Sequence, residues 1–388
     1  MSEDRAIISP KGVERLRAGH LWIYRSDVVE CQAAPGSIVG AYDKKGHCVG
    51  KAFFSDRSQI CLRFLSREDA PIDREFLKNK LLRAAELRQR VAKESAVYRL
   101  VHAEADGLPS VIVDRYGDFL CLQTLTQGAD RLKPLLVELL VELFQPAGIV
   151  ERNDGKVREL EGLNLTTSVL HGEVPAEVLV LENGLRFHYQ LMEGQKTGGF
   201  LDQRENHARA AEYAFGHALD CFCYEGGFAV HIARQCETVE ALDLSETAVQ
   251  KAIANAALND IQNLSCEVDN AFDRLRLFDN LKKKFDTIIL DPPAFAKNRN
   301  HLEAAYRGYK EINLRAFRLL NPGGILITCS CSQLIHEDAF LNLLAEAATN
   351  ARRTVQVIEK RTQSRDHPIL LTMPETYYLK CIILRVTS

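Results

Sequence analysis

The chain has 388 residues, of which 46% are hydrophobic, and its formal net charge is -3 with histidine taken as neutral. A chain of this length usually folds as two or three domains and can bury several apolar cores. The slight excess of acid argues against a protein held on nucleic acid mainly by bulk neutralisation of phosphates, although a local basic groove remains compatible with it.

No apolar leader follows Met1, and no uncharged apolar run is long enough to span a membrane. The 11 cysteines are odd in number and lack the spacing of a disulfide framework. We therefore expect a cytoplasmic protein with reduced thiols and no membrane partner. The pairs Cys221/Cys223 and Cys329/Cys331 lack the wider spacing of a zinc site, so no metal is expected.

The first 72 residues contain three β-rich runs, Ile38–Tyr42, Val49–Phe53 and Ile60–Leu65. Turns that contain glycine or proline separate them, which is typical of short strands. This pattern predicts a small β-barrel or sandwich domain over residues 1–72.

The next region mixes helix and strand patterns. Apolar residues recur every three or four positions from Asp73 to Lys93, which predicts a helix. Further predicted elements are strands at Tyr98–Ala103, Ser110–Asp114 and Phe119–Leu125 and a helix near Asp130–Leu143. We predict a small α+β domain over residues 73–175.

The third region, residues 176–388, begins with a predicted hairpin. Asn183-Gly184 lies between the strand-like runs Val178–Glu182 and Leu185–Leu191, and this dipeptide favours a tight two-residue turn. From about residue 215, strand patterns alternate with helices such as Glu246–Leu258, which Ser245 precedes as an N-cap. The predicted strands are 217–222, 238–243, 264–269, 285–290, 323–329, 354–360 and 377–386. Alternation predicts an α/β fold with a doubly wound, mostly parallel sheet covered on both faces.

Ligands of such sheets bind at the carboxyl ends of the strands. The first strand, which contains Asp220, runs into a turn with Tyr224, Gly226 and Gly227 and then into a helix, Ala229 to Arg234. Glycine lets the backbone turn sharply and approach a ligand closely. This turn is the first element of a predicted cofactor site.

Polar residues also end the next two strands. Asp243 follows the glycine turn by about 20 residues and can accept hydrogen bonds from both ribose hydroxyls. Asp269 and Asn270 end the third strand, where they can reach an adenine edge. The Gly-x-Gly-x-x-Gly pattern of dinucleotide sites is absent, so a cofactor with ribose and adenine but no pyrophosphate fits best. We predict S-adenosyl-L-methionine.

The fourth and fifth strands carry the predicted reaction centre. Asp291 ends the fourth strand, and two prolines fix the backbone there, so its carboxylate can hydrogen-bond a base. Cys329 and Cys331 lie at the end of the fifth strand and share one face. A thiolate that adds to position 6 of cytosine makes position 5 nucleophilic toward a sulfonium methyl group. Cys331 is nearer the strand's end and is the predicted nucleophile, and a helix near His336–Leu344 can assist with its dipole.

Several of these motifs resemble one known family, the bacterial 23S ribosomal RNA cytosine-5 methyltransferases with an N-terminal PUA domain. The matching segments, which span nearly the whole chain, are His102–Pro109, Lys196–Arg204, Tyr224–Phe228, Asp291–Phe295, Arg307–Lys310 and Ser330–Ser332. The resemblance implies a class I methyltransferase domain and a PUA domain that docks structured RNA. It also implies Cys331 as the nucleophile, with Asp291 assisting at the base.

The resemblance further implies that one polar segment lines the cofactor pocket, together with Asp291. Its residues are Lys196, Thr197, Phe200, Asp202, Gln203 and Arg204. The implied partner is large-subunit ribosomal RNA, naked or partly assembled, and a homodimer is left open. Glu225 departs from the family, which usually has a small residue there; its carboxylate either favours the sulfonium or points to solvent. Cys223 also departs, where the family often has serine.

Two other functions compete with this hypothesis. The first is methylation of an exocyclic amino group of guanine or adenine, whose sites typically place an aromatic residue directly after the two prolines; here Ala294 is in that place. The second is a non-catalytic RNA-binding factor in ribosome assembly, because a fold alone does not guarantee activity. The intact Asp243, Asp291 and Cys331 argue against the second.

Overall fold

The computed structural model describes residues 4–93, 95–296 and 299–388. These residues divide into two units. The first unit comprises the described residues of Met1–Leu181, Tyr189–Leu201 and Arg365–Thr376, and the second comprises those of Glu182–His188, Asp202–Ser364 and Tyr377–Ser388. In the described part of the chain, no helix is both long and apolar enough to cross a membrane.

The first unit begins with a six-stranded sheet of order β2-β6-β5-β4-β1-β3. Its strands are β1 (Arg5–Ile8), β2 (Trp22–Tyr24), β3 (Val28–Gln32), β4 (Ile38–Tyr42), β5 (Cys48–Phe54) and β6 (Ile60–Ser66). The three predicted strands are confirmed. Helix α1 (Pro10–Arg17) was not predicted, although Ser9 caps it by accepting a 3.1 Å hydrogen bond from the Gly12 amide and Pro10 suits a first helical position.

A five-stranded sheet of order β11-β10-β9-β8-β7 also belongs to this unit. The strands are β7 (Val97–His102), β8 (Val111–Tyr116), β9 (Phe119–Thr124), β10 (Gly148–Asn153) and β11 (Thr166–Gly172), and the helices are α2 (Arg74–Val91) and α3 (Gln127–Phe144). The predicted helix is confirmed as α2, which buries Leu77, Leu81 and Ala84, three of the apolar positions in the predicted repeat.

The predicted hairpin is confirmed as β12 (Val178–Glu182) and β13 (Leu185–Tyr189). Asn183 and Gly184 have φ angles of 50° and 81°, as a primed two-residue turn requires. The second strand ends at Tyr189, two residues earlier than predicted. The boundary between the two units falls within this hairpin.

The second unit contains a seven-stranded sheet of order β16-β15-β14-β17-β18-β20-β19. Its strands are β14 (Gly216–Cys221), β15 (Cys236–Asp243), β16 (Leu264–Val268), β17 (Phe285–Leu290), β18 (Leu320–Ser330), β19 (Val355–Arg361) and β20 (Lys380–Val386). The doubly wound, mostly parallel fold is confirmed. Strand β20 runs antiparallel to both neighbours, since no α-helix lies between β19 and β20 to carry a parallel crossover.

Helices cover both faces of this sheet: α4 (Arg204–Tyr213), α5 (Gly227–Ile232), α6 (Glu246–Leu258), α7 (Ala271–Leu281), α8 (Leu302–Leu319) and α9 (Glu337–Asn350). Ile288 packs in one apolar cluster with α7, α8 and α9, whereas its neighbour Ile289 packs in another with α4 and α5. The register pairs Cys221 with both Leu242 and Leu290, so the carboxyl ends of β14, β15 and β17 lie side by side.

Candidate active site

The turn after β14 has a strained backbone. Phe222, Tyr224 and Gly226 have φ angles of 68°, 47° and 84°, a region that residues other than glycine rarely adopt. The Tyr224 amide donates a 2.9 Å hydrogen bond to Oδ2 of Asp243, and the Gly226 amide donates one of 2.8 Å to the Cys223 carbonyl. Strain that such contacts maintain is typical of ligand sites.

A polar network of Asn183, Glu182, His207 and His231 contacts this turn at Gly227. A Cβ at Gly227 would lie 2.5 Å from Cε1 of His207, so only glycine fits. His207 Nδ1 donates to Glu182 at 2.9 Å, and His231 Nδ1 donates to the Gly227 carbonyl at 2.7 Å. Burial lowers the pKa of His231 to about 4, and its neutral ring accepts a 3.2 Å hydrogen bond from the Asn183 amide through Nε2.

Three members of this network could in principle hold a metal ion. The ligand atoms of Glu182, His207 and His231 all lie within 4.8 Å of one another. Their hydrogen bonds, however, already engage Nδ1 of His207, both ring nitrogens of His231 and the Glu182 carboxylate. The network's evident role is to hold the turn at Gly227.

Asp220 lies near the end of β14 and is fully buried. Neither carboxylate oxygen has a hydrogen bond of good geometry among the described residues, although the nearby Ala229 amide partly offsets the effect of burial. Burial, and secondarily the charge of Asp291, raise the pKa of Asp220 well above its usual range. A buried carboxylate without a partner is costly, and a bound cationic donor relieves that cost. S-adenosylmethionine carries an ammonium and a sulfonium group, so the residues present fit the predicted cofactor.

The polar side chains that follow β15 and β16 already form hydrogen bonds or ion pairs within the protein. Oδ1 of Asp243 accepts a 2.9 Å hydrogen bond from the Ser245 amide, which leaves further lone pairs on both oxygens for hydroxyl donors. Asp269 forms an ion pair with Arg274, and the side-chain oxygen of Asn270 caps α7. The NH₂ group of the Asn270 side chain takes no part in this cap. The contact of Asp269 and Asn270 with adenine stays a prediction.

Glu225 is buried within the glycine turn, with 7% of its surface exposed. Its carboxylate accepts a 2.8 Å hydrogen bond from Nζ of Lys251. Burial raises the pKa of Glu225, and Lys251 opposes this effect. The alternative that Glu225 simply points to solvent is therefore wrong.

The reaction centre lies where β17 and β18 end. Oδ1 of Asp291 accepts a 3.0 Å hydrogen bond from Nε2 of Gln203, and the side-chain oxygen Oε1 of Gln203 accepts one of 2.6 Å from Nδ2 of Asn206. Gln203 therefore fixes the orientation of the Asp291 carboxylate. The thiol of Cys331 lies 3.9 Å from the carbonyl oxygen of Pro292, the residue that follows Asp291, and the catalytic roles of Asp291 and Cys331 stay predictions.

The two candidate cysteines lie in different environments. Cys329 is inside β18, is fully buried and packs in the apolar cluster with Cys381. Burial raises the pKa of Cys329 well above its usual range, and a contact with Cys381 raises it further. Cys331 follows the last residue of β18 and is partly exposed. Its position, unlike that of Cys329, is compatible with reaching a base.

The segment Lys196–Arg204 is divided between the two units after Leu201. In the first unit, the Thr197 hydroxyl donates to Asp114, and Nζ of Lys196 lies 4.3 Å from the centre of the Phe200 ring. In the second unit, Asp202 accepts a 2.8 Å hydrogen bond from the Tyr378 hydroxyl, and Arg204 is buried. The roles of these residues toward a cofactor stay predictions.

The first unit contains a cleft of about 360 Å³. Its lining includes Gly19, Leu21, Arg67, Lys80, Arg83, Glu104, Asp106 and Thr372. The Asp106 carboxylate forms a bidentate pair with the buried Arg88, at 2.6 and 2.7 Å, and Glu104 accepts a 2.9 Å hydrogen bond from Trp22. The lining therefore carries the three positive charges of Arg67, Lys80 and Arg83 against the negative charge of Glu104. The cleft is basic although the whole chain is not.

Sequence reasoning missed Lys380, which is buried at the start of β20, and the network of Asn183 and His231. The only signal for Lys380 is a single lysine within the apolar run from Leu379 to Leu384. Asn183 was predicted solely as a turn residue, because its contact with a helix 48 residues away depends on the tertiary fold.

Comparison with known proteins identifies two family matches. Residues 164–374 match the S-adenosylmethionine-dependent methyltransferase family, and residues 6–67 match a PUA-like domain. The second match confirms the predicted domain type at the N-terminus.

Curated relatives match over almost their whole length. Ribosomal RNA large subunit methyltransferase I from Shewanella frigidimarina is 39% identical over 98% of this chain and 99% of its own. The protein of the same name from Aliivibrio fischeri is 41% identical with the same coverage. Among solved structures, a SAM-dependent methyltransferase from Streptococcus mutans superposes with a TM-score of 0.84 at 19% identity, over 99% of this chain and 100% of that one, which supports the fold.

Proposed function

The chain belongs to the S-adenosylmethionine-dependent methyltransferase family and carries a PUA-like domain, and from this premise we propose that it methylates carbon 5 of a cytosine in 23S ribosomal RNA. The relatives that share its full length are named as ribosomal RNA large subunit methyltransferases. The observation that carries the choice of cytosine is the thiol of Cys331, just past the end of β18 and 3.9 Å from the Pro292 carbonyl oxygen.

The residues proposed to hold S-adenosylmethionine surround the ends of β14 to β17. Asp243 accepts the ribose hydroxyls, Gly226 and Gly227 let the backbone approach the methionine end, and Asp220 faces its positive charge. Asp269 and Asn270 are assigned to the adenine. When bound, the cofactor supplies an electrophilic methyl group on a sulfonium.

Cys331 and Asp291 act on the base. The thiolate of Cys331 adds to carbon 6 of the cytosine: its electron pair forms the new S–C6 bond, and the displaced C5=C6 π pair moves into the ring so that carbon 5 becomes enamine-like and nucleophilic. Asp291, oriented by Gln203, hydrogen-bonds the ring nitrogen or the exocyclic amine of the base and so holds carbon 6 in position for the thiolate. After methylation, solvent water takes up the position-5 proton, and the electron pair of the C5–H bond re-forms the C5=C6 double bond as the C6–S bond breaks and the thiolate leaves. The cytosine must be single-stranded or flipped out to reach these groups.

The basic cleft of the first unit is proposed to hold the RNA backbone. Arg67, Lys80 and Arg83 are suited to phosphate contacts, which position RNA without reading its sequence. Such local charge explains how a chain of net charge -3 can act on RNA. The substrate is naked or partly assembled large-subunit RNA, and the enzyme is placed in the cytoplasm. A homodimer stays a prediction, which sedimentation of the full chain tests.

The amino-methyltransferase alternative is disfavoured by the position of Phe295. Its ring centre lies 4.6 Å from that of Tyr309 and 5.8 Å from that of Phe272, and these rings pack against the apolar core. Phe295 therefore contributes to packing, and the position directly after the two prolines, where those enzymes place an aromatic residue, is Ala294. Cys331 also has no role in methylation of an amino group.

Transfer of labelled methyl groups from S-adenosylmethionine to undermodified ribosomal RNA, followed by nucleoside analysis, tests the proposal. We expect 5-methylcytidine in large-subunit RNA. Label in a methylated guanine or adenine would favour the amino-methyltransferase, and RNA binding without transfer would favour the assembly factor.

A further inference from the structure

Lys380 is a buried lysine in the second unit. Only 2% of its surface is exposed, and its Nζ donates hydrogen bonds to the carbonyl oxygens of Ser332 at 2.8 Å and Tyr378 at 2.9 Å. Both acceptors are neutral backbone groups. A buried ammonium is costly unless opposite charge compensates it, so this lysine requires an explanation that packing does not give.

The strand register places Lys380 beside the proposed nucleophile. Lys380 lies opposite Ser330 in the antiparallel pair of β18 and β20, and its hydrogen bond goes to Ser332. The two residues that it contacts across the sheet therefore flank Cys331 in the sequence. Burial lowers the pKa of Lys380 to about 8, whereas negative charge on Cys331 and on Glu337 opposes that change.

The interaction between the two charges is mutual. A thiolate at Cys331 raises the pKa of Lys380 and so favours its ammonium form. The ammonium group lowers the pKa of the Cys331 thiol by the same interaction energy. Three neighbouring groups among the described residues do not supply positive charge to Cys331. Tyr309 is neutral at physiological pH, because burial raises its pKa to about 12, the Pro292 carbonyl is an acceptor, and Asp291 carries negative charge when ionised.

We propose that Lys380 is a positioning residue for the nucleophile: its ammonium group stabilises the thiolate of Cys331, and its hydrogen bond to Ser332 fixes the chain just after that thiol. This proposal rests on the nucleophilic role proposed for Cys331. Lys380 keeps its proton throughout the reaction. The electron pair of the thiolate forms the bond to carbon 6 and returns to sulfur when that bond breaks.

The test is the rate at which iodoacetamide alkylates Cys331 in the full-length protein, measured at several values from about pH 6 to about pH 9. Mass spectrometry of the peptide that contains Cys331 follows the reaction. Lys380→Met removes the charge at similar size, Lys380→Gln removes it but keeps a donor for Ser332, and Lys380→Arg keeps the charge. Cys48, partly exposed in the first unit, serves as the internal reference for each sample.

In Lys380→Met and Lys380→Gln, we expect the pH at which alkylation of Cys331 reaches half of its maximal rate to rise. Alkylation at about pH 7 should be roughly tenfold slower than in the wild type. Lys380→Arg should stay near the wild type, and Cys48 should not change. If Lys380→Met does not fold, Lys380→Gln decides the question. An unchanged midpoint in a folded neutral variant overturns the proposal, as does an equal shift in the arginine variant, which would indicate a purely structural role.

This readout is independent of the proposed function. If Cys331→Ala still methylates RNA, the nucleophile is wrong, whereas the effect of Lys380 on the Cys331 thiol is still measured. If Cys331→Ala is inactive but the alkylation profile does not respond to Lys380, only the present inference fails.

Discussion

Asp243 and Tyr224 hold each other in place: the carboxylate at the end of β15 accepts the amide of a residue whose φ angle is 47°. The carboxylate proposed to bind ribose therefore also stabilises the strained turn that approaches the methionine end. If Asp243 holds the ribose as proposed, this one hydrogen bond couples the binding of the two ends of the cofactor.

Asp243→Ala should weaken S-adenosylmethionine binding by roughly 1–3 kcal/mol, the cost of leaving polar partners unpaired. Calorimetric titration of the full-length protein measures it. Glu237→Ala, at the exposed beginning of the same strand, should leave affinity unchanged. Equal affinities for Asp243→Ala and the wild type would remove Asp243 from the site.

Asp220→Asn should make the ligand-free protein more stable and the cofactor weaker. The pKa of Asp220 is raised on folding, so the native state holds its proton more tightly than the unfolded state does. The free energy of unfolding consequently falls as pH rises above about 3.9, the unfolded value, and the loss is complete above the folded pKa. Asparagine removes this titration.

Thermal unfolding across the same pH range checks this prediction. The gain of Asp220→Asn should increase with pH and reach on the order of 1–3 kcal/mol, while S-adenosylmethionine affinity falls. A variant that is less stable at every pH would show that the Asp220 carboxylate has partners in the folded state that compensate its burial.

Cys331→Ala should abolish methyl transfer and spare cofactor binding, whereas Cys329→Ser should keep much of the activity. RNA that contains 5-fluorocytosine cannot lose a position-5 proton, so it should trap the wild-type enzyme as a covalent adduct visible on a denaturing gel. An adduct that forms with Cys331→Ala but not with Cys329→Ser would reassign the nucleophile to Cys329.

Lys80→Ala and Arg83→Ala should weaken RNA binding in the cleft without affecting S-adenosylmethionine. Each phosphate contact that is lost should reduce the slope of log affinity against log salt by about one. Arg90→Ala is the matched control, because Arg90 lies on the same helix, is exposed and pairs with Glu86. If all three variants change the salt slope equally, the cleft has no special role.

Much of the second unit could be predicted because its strands are short apolar runs with polar residues at their ends. Ser245 as an N-cap, the helix Glu246–Leu258 and the hairpin at Asn183-Gly184 all depend on local chemistry. The same locality explains why Asp243 and Asp291 were selected, since each directly ends a recognisable strand.

Features that depend on distant partners could not be predicted in this way. Nothing near Lys380 in the sequence indicates that it lies opposite Ser330, because that contact depends on the reversed direction of β20. The ion pair of Glu225 with Lys251 likewise required the fold to decide between two orientations of one carboxylate.

The position of β20 in the sheet has a consequence for synthesis on the ribosome. This strand, Lys380–Val386, follows β19 along the chain, yet it lies between β18 and β19 in the sheet. Domains generally fold as units while the chain emerges, but here β19 cannot join its sheet until β20 has been synthesised and has paired with β18. A chain truncated before Lys380 therefore exposes the unpaired edge of β18, a template for pairing with another chain, so we expect such a chain to depend on chaperones.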